Sequence, residues 1–222
     1  MFKTARIGLL ALAMVTVAGV GGAWAARGGP PGGAPGFRGA WHPVVGSGAA
    51  YRLEQKGQPA MDMEIAVVGQ EEGGYWVETR MFAPEEMISK ALILPGQVKR
   101  TIVKAAGQPA MELPAMNAPK VPETDIDKTA KRIGTETIAT PAGSFACDHY
   151  QSQESGGTVD AWVATKVSPY GLVKMASPGT TMVLSKLITG AKSRITETPQ
   201  KLDIPSMPSM DEMMKQMKEN QQ

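Results

Sequence analysis

The sequence predicts a mainly β, α+β fold: one large antiparallel sheet, curved into a half-barrel, with a few short helices. Three observations predict it. Apolar and polar residues alternate over many short runs, the period of a strand. Turns rich in Gly and Pro separate those runs at the spacing of antiparallel sheets. Helical periodicity, by contrast, is confined to short stretches. With 222 residues, 42% hydrophobic and 20% charged, the chain can bury one core, and the apolar content excludes wholesale disorder.

The first element is an export signal. Lys3 and Arg6 give a basic start, and Ile7 to Val20 is an uncharged apolar run. Ala23-Trp24-Ala25 puts small residues at the positions a signal peptidase requires, which predicts residues 1–25 as a signal cut after Ala25. An uncleaved anchor is the rival reading, since no charge follows until Arg27. Gly19, Gly21 and Gly22 weaken a helix there. Losing Lys3 and Arg6 brings the 23 basic residues level with the 21 acidic ones. A neutral chain lacks the positive excess that displaces counterions from phosphate, so no nucleic-acid partner is expected. Residues 26–40, dominated by Gly and Pro, read as a flexible tether.

The sheet domain is expected over residues 41–200. Tyr51 and Leu53 alternate with Arg52 and Glu54, and Lys56 to Pro59 forms a turn. Met61, Met63, Ile65 and Val67 then alternate with Asp62, Glu64, Ala66 and Val68, giving one apolar face. Glu71 to Gly74 turns the chain into a strand from Tyr75 to Met81. Pro84 to Lys90 reads as a short helical turn or an edge segment, and Pro95-Gly96 stops the apolar run Ala91 to Leu94. Val98 to Lys104 is a further strand whose weak alternation leaves its register poorly specified. Gly57-Gln58-Pro59-Ala60-Met61 echoes in Gly107-Gln108-Pro109-Ala110-Met111, a duplicated corner or a coincidence of turn chemistry.

After a Pro-rich loop from Ala115 to Pro122, Thr124 to Arg132 has the composition of a short helix stopped at Gly134. Strands then follow at Glu136–Thr140, Ser144–Ser152, Thr158–Ala164, Leu172–Ala176, Thr180–Ile188 and Ser193–Thr198, giving nine to eleven in all. The tail, residues 201–222, contains Pro205 and Pro208 and then a capping-box pattern from Ser209 to Glu212. Met210, Met213, Met214 and Met217 fall on one helical stripe.

The side chains argue against catalysis. Nucleophilic hydrolysis needs a His with an orienting group, and only His42 and His149 exist. Asp148 adjoins His149, but neighbouring strand residues point to opposite faces. No Gly-x-Ser-x-Gly elbow or phosphate-binding Gly-Lys loop is present. Cys147 and His149 share a strand face and supply half a metal site at most, so packing is the simpler reading and Cys147 is expected to be a buried free thiol. The Met stripe suits docking on the sheet, contact with an apolar ligand, or cuprous copper, which thioethers bind.

Four segments carry a family resemblance: IGTETIATPAGSFACDHY, DAWVATKVSPYGLVKM, Met87-Ile88-Ser89-Lys90 and VKRTIVKAAGQPAMELP. With them, the stretch from about Val45 to Thr198 resembles exported bacterial domains of unknown function, which look like distant relatives of the periplasmic lipoprotein carriers (LolA/LolB-like). The resemblance implies a curved antiparallel sheet around a few helices, with an apolar cavity for acyl chains.

The expected function is that of a periplasmic or secreted, non-enzymatic binding protein without a cofactor. Its ligand would be a lipid or lipoprotein acyl chain, held on a concave apolar face by Met61, Met63, Ile65, Val67, Val77 and Trp162. Met210, Met213, Met214 and Met217 would form a lid. An envelope protein-interaction or structural module with a filled core is the alternative, and copper binding by the tail a weaker one.

Overall fold

The computed structural model describes residues 40–82, 85–113, 126, 130–154 and 157–201. The signal, most of the tether, the Pro-rich loop and the Met stripe lie outside the described residues. The rest forms one open, curved sheet of twelve strands. These are β1 (Ser47–Gln55), β2 (Met61–Glu71), β3 (Gly74–Phe82), β4 (Glu86–Leu94), β5 (Gln97–Ala105), β6 (Met111–Leu113), β7 (Lys131–Thr140), β8 (Gly143–Glu154), β9 (Gly157–Val163), β10 (Leu172–Ser177), β11 (Thr180–Thr189) and β12 (Gln200–Lys201).

Two meanders make the sheet, β1 to β6 and β7 to β11, and each follows from short turns between alternating runs. They join where β1 pairs with β11, Ser47 opposite Thr189 and Gln55 opposite Thr180. All pairings are antiparallel except that of β12, two residues long, beside β6. At the opposite end, residues of β7 approach β10 and β11, three and four places along the order, so that end of the sheet rolls over.

Both copies of the echoed segment form the same kind of turn. Gln58 N–H bonds Gln55 C=O at 3.0 Å, and Gln108 N–H bonds Ala105 C=O at 3.1 Å. Gly57 (φ 80°) and Gly107 (φ 70°) occupy the left-handed region that glycine tolerates. Each corner delivers a Met as the first residue of the next strand.

Ser193–Thr198, expected as a strand, is irregular. The expected helices are not shown, since most of residues 124–129 and the tail lie outside the described residues, among which only Ile126 is helical. Its C=O accepts the Ala130 N–H at 2.9 Å, one helical bond. Lys131 and Arg132, expected to end that helix, begin β7. Residues 86–90, expected as a turn of helix or an edge, lie in the interior strand β4, between β3 and β5. Glu, Met and Lys favour helix locally, but two flanking strands supply cross-strand packing that outweighs that preference.

Two cores lie on opposite faces of β1 to β5. The principal one gathers Ala49, Tyr51, Leu53, Met63, Ile65, Val67 and Val77 with Met182 and Leu184, under Trp41, Val167 and Tyr170. Tyr51 donates its hydroxyl to Leu172 C=O at 3.1 Å, and burial raises its ionisation well above the usual phenol range. Gly48, beside Ala49 on β1, is fixed for a steric reason, since a Cβ there would stand 2.4 Å from Ile65 O. The second core holds Trp76, Ile88, Leu92, Ile102, Ala110 and Ile195. The segment carrying Ile195 is pinned by buried Glu78, which accepts from Ser193 Oγ at 2.8 Å and from Arg194 N–H at 3.1 Å.

Candidate functional site

Four of the six residues expected to line a ligand face come together. Met63, Ile65, Val67 and Val77 are only 0–5% exposed and belong to the principal core. Alternation on β2 aims the first three the same way, and Val67 sits opposite Val77 of β3. Met61 and Trp162 are partly buried against the same core. Trp41 and Tyr170, 5.3 Å apart between ring centres, help to cap it, and burial pushes the Tyr170 phenol up to about 12. Met210, Met213, Met214 and Met217 lie outside the described residues.

The same face continues across β3 to β5 with a different lining. Thr79 stands opposite Ser89, and Ala91 opposite Thr101. Thr79, Ser89 and Thr101 are buried, and among the described residues Ser89 Oγ has no hydrogen-bond partner. A buried hydroxyl normally finds one, so this atom is energetically incomplete.

On β7 to β9 a polar cluster adjoins the principal core, on the strand face that also carries Cys147 and Trp162. His149 of β8 is held at both ring nitrogens, Nδ1 2.9 Å from Glu136 of β7 and Nε2 2.9 Å from Asp160 of β9. Gln151 also donates to Asp160 at 3.1 Å. The imidazole stacks on the Trp162 indole at 4.4 Å between centres, and Lys174 Nζ sits 4.7 Å from the Trp162 ring. Trp162 donates Nε1–H to the same Glu136 oxygen, Oε1, at 2.5 Å. Trp162 is therefore anchored in a polar network at one edge of the core.

Sequence reading sets aside Asp148 as an orienting group for His149 and names no other. Strand register supplies the carboxylates: Thr135 opposite Asp148 places Glu136 one residue on, and Trp162 opposite His149 places Asp160 within reach. Only the pairing of β7, β8 and β9 brings these residues together, so no linear motif records them. Asp148 instead takes the Arg132 guanidinium at 2.6 Å. With both nitrogens of His149 engaged and no Ser or Cys hydroxyl or thiol among its contacts, the cluster has the form of a structural clasp.

Cys147 is a buried free cysteine, as expected. Burial pushes its thiol up to about 11, away from the reactive thiolate. Among the described residues no three His, Cys, Asp or Glu side chains gather to hold a metal, and no helix is long and apolar enough to cross a membrane. Open clefts among the described residues include two of note. One, about 480 Å³, lies between the turns at Lys56 and Gly179, and the other, about 320 Å³, lies beside Glu78 and Arg80. Both are lined largely by polar residues, and neither touches the Met63 to Val77 face.

No protein-family model and no curated protein matches the chain. Looser likenesses to solved structures exist. One is to a chain of the MucA/MucB complex of Pseudomonas aeruginosa, over 66% of this chain, with 10% identity and a TM-score of 0.43; this chain spans about half of it, 52%. Another is to a chain assigned as a lipoprotein of Parabacteroides distasonis, over 68% of this chain and 98% of that one, with 18% identity and a TM-score of 0.33. A third is to a chain of Bacteroides fragilis assigned as an exported protein with a YmcC-like fold, over 68% and 99%, with 13% identity and a TM-score of 0.36. None of the three is named as a lipoprotein carrier, and TM-scores this low fix neither family nor function.

Proposed function

We propose that the chain is an exported, non-enzymatic protein-interaction module of the cell envelope. One observation carries this reading. The side chains best suited to hold an acyl chain, Met63, Ile65, Val67 and Val77, are already buried against the protein's own residues. The export signal read at residues 1–25 supplies the compartment. The test is native mass spectrometry of the protein isolated from its own envelope fraction. A co-purifying protein without lipid is the expected result, and a stoichiometric lipid retained through purification would overturn the proposal.

A carrier of apolar ligands is the second reading, favoured by the lining at β3 to β5. Ser89 Oγ, unpartnered and buried beside Thr79 and Thr101, could donate to an ester carbonyl, and half-exposed Met87 lies on the same face two residues away. In the same spectra this reading requires bound lipid that Ser89→Ala diminishes.

A further inference from the structure

The two ends of the sheet differ in how they are finished. At one end β12 is two residues long and pairs in parallel with a three-residue β6. At the other, β7 runs for ten residues and, among the described residues, pairs only with β8. From Gly134 to Thr140 no described strand pairs with its outer side. Every second residue of an edge strand directs its N–H and C=O away from its neighbour, and proteins usually guard such edges with Pro, with bulges or by shortening them. Residues 131–140 hold no Pro, and the one irregularity lies between Arg132 and Gly134, before the open part. Thr135, Glu136, Thr137 and Ala139 are exposed, and a Cβ placed on Gly134 would meet nothing within 4 Å.

The chemistry of the edge selects its occupant. The Glu136 side chain is 46% exposed. Its Oε1 is taken by His149 and Trp162, and among the described residues its Oε2 has no partner. Asp160 stands behind His149, and the cations nearby are committed: Arg132 to Asp148, and Lys174 over Trp162. A second copy of the chain fits badly, because antiparallel self-pairing centred on this stretch brings the two Glu136 carboxylates side by side. We propose that the outer edge of β7, from Gly134 to Ala139, binds an extended segment of a partner protein by strand addition, with a Lys or Arg of that segment opposite Glu136. Small β-branched residues on either side of the cation match the Thr135 and Thr137 side chains, which leave room for neighbours of that size.

This deepens the interaction reading and rests on it. The probe is the capped peptide Thr-Val-Thr-Lys-Thr-Val-Thr, compared with the same peptide carrying Glu in place of Lys. On the full mature chain the Lys peptide should slow amide exchange within residues 134–139 and bind roughly fivefold tighter than the Glu peptide, a cross-strand charge effect. Glu136→Gln should erase that preference, and Thr137→Pro should abolish the protection. Protection elsewhere, equal binding of the two peptides, or no protection at millimolar peptide would overturn the proposal, as would a dimer of the chain that Thr137→Pro dissolves. Should Thr137→Pro fail to fold, the exchange map and Glu136→Gln still decide. A natural partner that co-purifies equally with the wild type and Thr137→Pro would refute the edge while leaving the interaction reading standing. Absence of any partner from wild-type envelope preparations would refute that reading instead.

Discussion

β2 and β7 are built by one rule and end in opposite surroundings. Both are long antiparallel strands of alternating side chains. β2 has neighbours on both sides, and Met63, Ile65 and Val67 disappear beneath Trp41, Val167 and Tyr170. Among the described residues β7 has one neighbour, and most of its residues face water. In sequence β2 looks the stickier of the two, yet its apolar surface is used internally. The weaker, Thr-rich strand is left with unsatisfied pairing capacity. Availability for a partner therefore follows position in the sheet more closely than hydrophobicity does.

The sharpest way to break this comparison is Ile65→Ala. Removing a fully buried branched side chain from the principal core should cost about 3 kcal/mol in urea unfolding. A loss below about 1 kcal/mol would mean that the face is loosely filled and that the carrier reading deserves preference.

A smaller effect sharpens the contrast across one hairpin, where exposed Glu136 of β7 sits directly opposite Cys147 of β8, only 2% exposed. The Cys147 thiol is raised from 9.0 to about 11 in the folded chain, so the folded state holds its proton more tightly than the unfolded state. Its contribution to stability is whole below pH 9 and is lost as pH rises towards about 11. Unfolding measured across that window should lose stability less steeply in Cys147→Ala than in the wild type, and an unchanged slope would show the thiol to be solvated. The smallest effect is expected on β7. Thr135→Ala should change stability by no more than about 0.5 kcal/mol, the range of an exposed surface position. A larger loss would show that its outer side is already occupied by the chain itself.

Much of the β architecture was legible in the residues. The runs around Met61 to Val67 and Ser144 to Ser152 became strands, and Gly57, Gly73, Gly96 and Gly179 all occupy turns with positive φ. The strand count, twelve against nine to eleven, erred partly because β4 was divided between a helical turn and a separate apolar run. Pattern along the chain records which face a residue takes but not which strand lies beside it. For that reason the joining of β1 to β11 was hidden, and with it the bond from Tyr51 to Leu172. The clasp was hidden for the same cause. His149 was noticed, but its true partners, Glu136 and Asp160, are neighbours only after three strands have paired. Ser89 gave no signal at all, since a serine missing its partner reads like any other serine.

The junction of β1 with β11 also sets the order in which this molecule can be completed. The first meander consists of near neighbours in sequence and needs only short loops to close. β1 gains its second neighbour only from residues 180–189, and the ceiling over its core, Val167 and Tyr170, belongs to that same late portion of the chain. A polypeptide emerging from its N-terminus thus carries Tyr51, Met63 and Ile65 uncovered until nearly all of it has arrived. If the chain is exported as proposed, such a delay would keep it pliable during passage and fasten it only on the far side.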